Sequence, residues 1–299
     1  MNHQGFSQKE KENSFLELQS LIIKKQETNQ PFFIGRLSGN ETNFCGTLLA
    51  NLSLSPGLQQ NMLFGAGIAF KSNDDVSNYV NLYNTSVTNS NLLGVWDGGM
   101  YYQAKSYYDY LDKNHLNIKK ICAHAIEPFY YMDHPEYKFN TIFKNKKVLI
   151  ITSHKETTIK QLTNKNYQKI FPKSLFDEST EFHVYKPPQQ NAGNHDNNSW
   201  FIHYEKMKSD LKELKKEFNF DIALVSCGGF GMPISDYIYT ELKSSSMYIG
   251  GALQLFFGIM GRRWSGSQDI TKHVNSYWTS VLDSDKPKNI NLCEGGCYW

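Results

Sequence analysis

Arg36 and Glu41 flank a turn of small and polar residues, Leu37, Ser38, Gly39 and Asn40, directly after the apolar run PFFIG. A guanidinium at such a place can clamp a phosphate, and a carboxylate beside it can hold a divalent cation or a sugar hydroxyl. The same residues also read as a strand end whose Ser38 or Asn40 caps the next helix, with Glu41 favourable in its first turn.

Similar turns recur. Ser153 opens the segment Ser153, His154, Lys155, Glu156, Thr157, Thr158 after KKVLIIT, where hydroxyls, a His and a Lys at a helix start read as an anion site or as an ordinary Ser or Thr cap. Gly228, Gly229 and Gly231 follow DIALVSC, and Gly250 and Gly251 follow SMYI with Gln254 close behind. Glycines at these places either let a ligand approach the backbone or let a helix pack tightly on a strand. Asp97, in the turn Trp96, Asp97, Gly98, Gly99, is a carboxylate placed for general-base work or for capping. His195 lies in KPPQQNAGNHDNNS, a Pro- and Asn-rich stretch that reads as a long loop able to close over a substrate.

Other motifs are missing. The glycines do not follow G-x-G-x-x-G or G-x-x-x-x-G-K-[ST], and there is no G-x-S-x-G elbow and no H-E-x-x-H pair. Cys293 and Cys297 have no second pair to complete a zinc site, and five scattered cysteines fit reduced thiols better than a disulfide framework.

The elements that position these turns alternate. Residues 8 to 26 read as an opening amphipathic helix, and 1–30 as an N-terminal helix layer on a single domain over 31–299. Apolar runs at 31–37, 91–96, 118–124, 146–153, 221–227 and 246–250 read as strands, each followed by a helical pattern. That alternation predicts an α/β, Rossmann-like, mainly parallel and doubly wound sheet flanked by helices. Ligands bind such sheets at the carboxyl ends of the strands, where all the turns named above lie.

The chain has 299 residues, 40% hydrophobic and 14% aromatic, enough for a substantial core. With 31 basic against 29 acidic residues and no basic patch with interleaved aromatics, it carries no nucleic-acid signature. The polar N-terminus lacks the pattern of a secretory signal and no apolar run is long enough to span a bilayer, so a cytoplasmic protein is expected. The apolar end Cys297, Tyr298, Trp299 is expected to be tucked against the body or against a second copy in a homo-oligomer.

The stretches DIALVSCGGFGMPISDYIYTEL, SMYIGGALQLFFGIMGRRW and EGGCYW, with KKVLIITSHKETTIKQL and PPQQNAGN, resemble the bacterial and viral proteins related to the GT-D fold glycosyltransferases, over most of the chain from about residue 30. The resemblance implies a nucleotide-sugar donor and a glycan or other hydroxyl acceptor. It also implies a D-x-E motif after the first strand, whose carboxylates serve a divalent cation, Mn²⁺ or Mg²⁺, and the donor diphosphate. At the matching place Glu41 fits the second acid, but Gly39 stands where the first would be. On this reading Arg36, Asn40, Ser153, Gly228, Gly229, Gly231, Gly250, Gly251 and Gln254 surround the donor, Glu41 serves the chemistry and any metal, and Asp97 or His195 activates the acceptor. The missing acid equally motivates a binding module without turnover. A methyltransferase is a weaker alternative, because its glycine-rich turn follows the first strand whereas this one comes late in the chain.

Overall fold

The structure, a computed structural model, describes residues 5–114 and 117–299. Helix α1 (Gln8–Glu27) starts where the sequence supplies a reciprocal cap: the Ser7 amide donates to the Glu10 carboxylate at 2.8 Å and the Glu10 amide donates to the Ser7 hydroxyl at 3.3 Å. Its buried face is Phe15, Leu18 and Ile22.

Seven strands then form one sheet: β1 (Phe33–Arg36), β2 (Leu92–Val95), β3 (Lys120–Cys122), β4 (Lys147–Thr152), β5 (Glu181–Tyr185), β6 (Ile222–Ser226) and β7 (Ser245–Tyr248). The order is β3-β2-β1-β7-β6-β4-β5, and every pair is parallel. Between β1 and β2 run α2 (Gly39–Leu49), α3 (Pro56–Gln60) and α4 (Asn73–Asn89), and between β2 and β3 run α5 (Gly98–Gln103) and α6 (Lys105–Lys113). Helices α7 (Lys155–Thr163), α8 (Trp200–Glu217) and α9 (Gly231–Thr240) follow β4, β5 and β6. This is a Rossmann-like, doubly wound α/β fold, and this one sheet takes strands from β1 through β7. Among the described residues no helix is long and apolar enough to cross a membrane.

Alternation along each strand divides the core into two layers. Ile34, Leu92, Val148, Ile150, Leu224 and Met247 face α1 and the segment Gly250–Phe257 on one side. Phe33, Leu93, Leu149, Ile151 and Val225 face α2, α4, α6, α8 and α9 on the other. The chain leaving β1 therefore passes to one face, and the chain leaving its neighbour β7 passes to the opposite face. The two diverge at the carboxyl edge and open a crevice there, as doubly wound sheets do at a switch point.

Three local expectations change. Strand β5 is absent from the sequence reading because EFHVY is a short edge strand, open on one side, with only Val184 buried. The helix expected after SMYIG is a run of tight 3₁₀ turns over Gly250–Phe257, closed by Gly258 at φ 66°. The helix after β4, which the polar run from Lys155 lets the sequence read as long, is short, nine residues.

Candidate functional site

The crevice encloses a cavity of about 550 Å³, in the range of small-molecule sites. The ends of β1, β2, β3, β4, β6 and β7 all reach it, and the C-terminal residues Glu294, Tyr298 and Trp299 form part of its wall.

Arg36, the last residue of β1, is held there by its surroundings. Its guanidinium carbon lies 5.5 Å from the Trp96 ring centre and 5.2 Å from that of Tyr248. Both rings are themselves fixed: the Trp96 indole N–H donates to the Leu37 carbonyl at 2.8 Å, and the Tyr248 hydroxyl donates to the Gly228 carbonyl at 3.1 Å. Gly250 supplies the remaining room. It sits at φ 69°, and a Cβ there would lie 1.9 Å from Arg36 Nη2. Among the described residues no carboxylate comes within ion-pair distance of Arg36, and its buried Nε has no hydrogen-bond partner.

Glu41, one turn into α2, is 5% exposed and lines the same cavity. Burial pushes its carboxyl above the ordinary range, with the Ser38 hydroxyl and, more weakly, Arg36 opposing the rise and Glu294 adding to it. Ser38, the N-cap residue of α2, makes no cap hydrogen bond, and its buried hydroxyl sits beside the Glu41 carboxylate at the cavity. Asn40 also lines the cavity, its amide packed over Gly65.

His154 and Gln254 approach from β4 and β7. Both are buried and line the cavity, and neither His154 Nε2 nor Gln254 Oε1 has a partner. Burial lowers the His154 pKa to about 4, the negative charge of Asp285 working against the shift and Lys186 adding to it. The imidazole is therefore neutral at pH 7, and the sign of its linkage to stability follows. Between about 6.5 and 4 the unfolded chain binds a proton that the folded chain excludes, so stability falls as the pH falls through that window. At about 1.4 kcal/mol per pH unit the loss reaches on the order of 3 kcal/mol near pH 4. Urea unfolding between pH 7 and 4 should show this acid loss in the wild type and a flatter profile in His154→Gln.

The structure brings Arg36, Asn40, Glu41, Ser153, Gly228, Gly250, Gly251 and Gln254 together around one cavity. It leaves other expected residues elsewhere or gives them different tasks. Asp97 is not among the cavity-lining residues; its Oδ2 accepts the Phe6 amide at 2.8 Å, tying down the chain before α1. His195 is likewise outside the lining and packs against Phe64, with ring centres 5.9 Å apart. Its loop is a fixed layer: the Ala192 amide donates to Phe64 O at 2.8 Å, and Asn191 alone of that stretch reaches the cavity.

Two glycines serve packing. A Cβ on Gly229 would lie 2.2 Å from Ile68, and one on Gly231 would lie 2.1 Å from the Tyr248 ring. The helix start after Ser153 is also filled. Asp285, fully buried, accepts the Thr157 amide at 2.7 Å, the Thr157 hydroxyl at 2.8 Å and the Glu156 amide at 3.3 Å. An internal carboxylate thus takes the place expected for an external anion.

Residues at the end of β3 were overlooked in the sequence. His124, Glu127 and Tyr130 line the cavity, with His124 Nδ1 3.6 Å from the buried Glu127 carboxylate. The signal was present, since His124 follows the apolar run IKKICA just as Arg36 follows PFFIG. Among the described residues no three His, Cys, Asp or Glu side chains gather as a divalent cation would require. Glu41, beside a guanidinium and with Gly39 at the position of the missing acid, is a poor seat for one.

In comparisons with protein-family models, with curated proteins and with solved structures, nothing matches this chain.

Proposed function

We propose that this chain is a glycosyltransferase that moves a sugar from a nucleotide-sugar donor to a hydroxyl of a glycan or other acceptor. The observation that carries the reading is Arg36: a cation held between two aromatic rings, without a carboxylate partner, in a cavity at the carboxyl ends of parallel strands. A preorganised guanidinium of this kind recognises a phosphate in two-point fashion. The resemblance of the segments around Gly228, Gly250 and Glu294 to GT-D fold glycosyltransferases supports the same reading.

In this reaction the bond between the donor's anomeric carbon and its phosphate oxygen breaks, and the electron pair leaves with the nucleotide. A new bond forms from the acceptor oxygen to that carbon, and the acceptor proton must go to a base. Arg36 offsets the charge on the leaving phosphate. Glu41 is the nearest carboxylate to it in sequence, and a carboxylate whose burial raises its affinity for protons is a better base while ionised. Because the side chains around Glu41 fit a divalent cation poorly, charge neutralisation rests on Arg36.

The test is thermal unfolding with UDP-, GDP-, dTDP- and CMP-sugars, each with Mn²⁺, with Mg²⁺ and with chelator. One nucleotide class at about 100 times its Kd should raise Tm by about 4 °C, and the shift should survive chelation. Absence of a shift with every donor would overturn the reading. Loss of the shift in chelator would return a metal to the site. A specific observation, Gly39 in place of the first acid, favours a second reading as a binding module; that protein would show the shift without turnover of any donor and acceptor pair.

A further inference from the structure

Resting on that reading, we propose that the C-terminal tail closes a subsite for a neutral polyol, the sugar ring of the donor, on the stretch of cavity wall formed by Trp299, His154 and Gln254. The tail is built into the fold. Glu294, Gly295 and Gly296 take φ of 46°, 64° and 76°, and these left-handed residues turn the chain just before Tyr298 and Trp299, which line the cavity. The Arg263 amide donates to the Cys297 carbonyl at 2.8 Å, and Gln254 Nε2 donates to the Tyr298 carbonyl at 3.3 Å. Arg263 also donates to the Tyr298 hydroxyl, and its guanidinium lies 5.3 Å from that ring's centre. Gly251 gives the ring its place, because a Cβ there would stand 2.3 Å from Tyr298 Cε1.

Among the described residues, three buried polar atoms on this side of the cavity wall lack a partner: Trp299 Nε1, His154 Nε2 and Gln254 Oε1. An unmet buried polar atom is unfavourable by about 1–3 kcal/mol, so three around one cavity point to a ligand that meets them. None carries charge at pH 7, since burial keeps His154 neutral. An indole N–H only donates, an amide oxygen only accepts, and a neutral imidazole nitrogen does one or the other. Hydroxyl groups, which both donate and accept, answer all three, and a pyranose ring carries several of them. The imidazole and indole rings meet edge to face, their centres 6.2 Å apart at 90°, so the two residues form one continuous stretch of wall. The subsite adjoins the cation, because Gly250 faces Arg36 while the next residue, Gly251, faces Tyr298. A phosphate on Arg36 would therefore carry its sugar toward the tail.

The experiment compares wild type with Trp299→Phe, which keeps a ring and removes the N–H, in titrations with UDP-glucose against UDP and GDP-mannose against GDP. The variant should bind the sugar nucleotide about tenfold more weakly and the bare diphosphate unchanged, with Tm within about 2 °C of wild type. His154→Asn should show the same split. Equal weakening of sugar nucleotide and bare diphosphate, or no weakening of either, overturns the subsite. If wild type binds none of the four nucleotides, the donor reading fails separately. The subsite is then judged by saturation transfer to methyl glucoside, methyl galactoside and methyl mannoside: transfer that Trp299→Phe removes supports it, and no transfer in wild type overturns it.

Discussion

Arg36→Ala is expected to weaken binding of an anionic donor by about 100-fold or more, the loss that follows when a desolvated charge pair loses one partner. The magnitude rests on how little else is available. Arg263 is the other arginine at the cavity, and it is already engaged by Glu294 at 3.4 Å and by Tyr298. The helix amides behind Ser153 are taken by Asp285. Arg36→Lys should recover little, because a flexible ammonium does not present a two-point fork and lacks the planar group that stacks on aromatic rings such as Trp96 and Tyr248. Gly250→Ala should lose affinity as well without touching any charge. Its Cβ must occupy the space of Arg36 Nη2, and its backbone must hold φ 69°, a region costly for a residue with a Cβ. Calorimetric titration with UDP-glucose, or whichever donor stabilises the wild type, measures these losses. Arg36→Ala binding within about threefold of wild type would remove the guanidinium from the site. Thermal unfolding supplies the control: among the described residues Arg36 has no ion-pair partner to abandon, so its removal should lower Tm by only a few degrees.

The features legible in the sequence are those governed by local pattern. Apolar runs separated by helical periodicity gave the order of strands and helices, and the rule that parallel sheets bind at their carboxyl edge pointed to Arg36, Glu41, Ser153 and Gly250 before any contact was known. What stayed hidden depends on residues far apart in the chain. A glycine after a strand looks the same whether it faces a ligand or a neighbour; only the fold brings Ile68 over Gly229 and Tyr298 over Gly251. Asp97 sits at a strand end like the others, yet it holds the Phe6 amide and does not line the cavity. Strand β5 escaped because Val184 is its one buried residue, so the alternation that marks a strand is nearly absent. His124 and Glu127 needed only the same edge rule applied to β3.

Asp285→Ala should be the most destabilising single change near the site, lowering stability by about 3–5 kcal/mol and Tm by on the order of 10 °C. Asp285 is fully buried and gathers four donors from two distant parts of the chain: the Glu156 and Thr157 amides, the Thr157 hydroxyl, and Lys186 Nζ at 3.4 Å. Truncation leaves the first-turn amides of α7 buried and unmet, with no partial negative charge to face the positive end of the helix. It also frees the chain that the staple holds, since the Leu282 amide donates to the same Thr157 hydroxyl at 3.0 Å. The tail that walls the cavity begins only a few residues beyond, so binding should weaken together with stability. Asp285→Asn separates charge from shape. It keeps one acceptor oxygen and should lose less stability than the alanine variant, while His154, deprived of the carboxylate that favours its protonated form, should resist protonation further. Urea unfolding of both variants at pH 7 reads the order. A loss below about 1 kcal/mol in Asp285→Ala would mean that the α7 amides find other acceptors, and the first turn of that helix would again be available to an external anion.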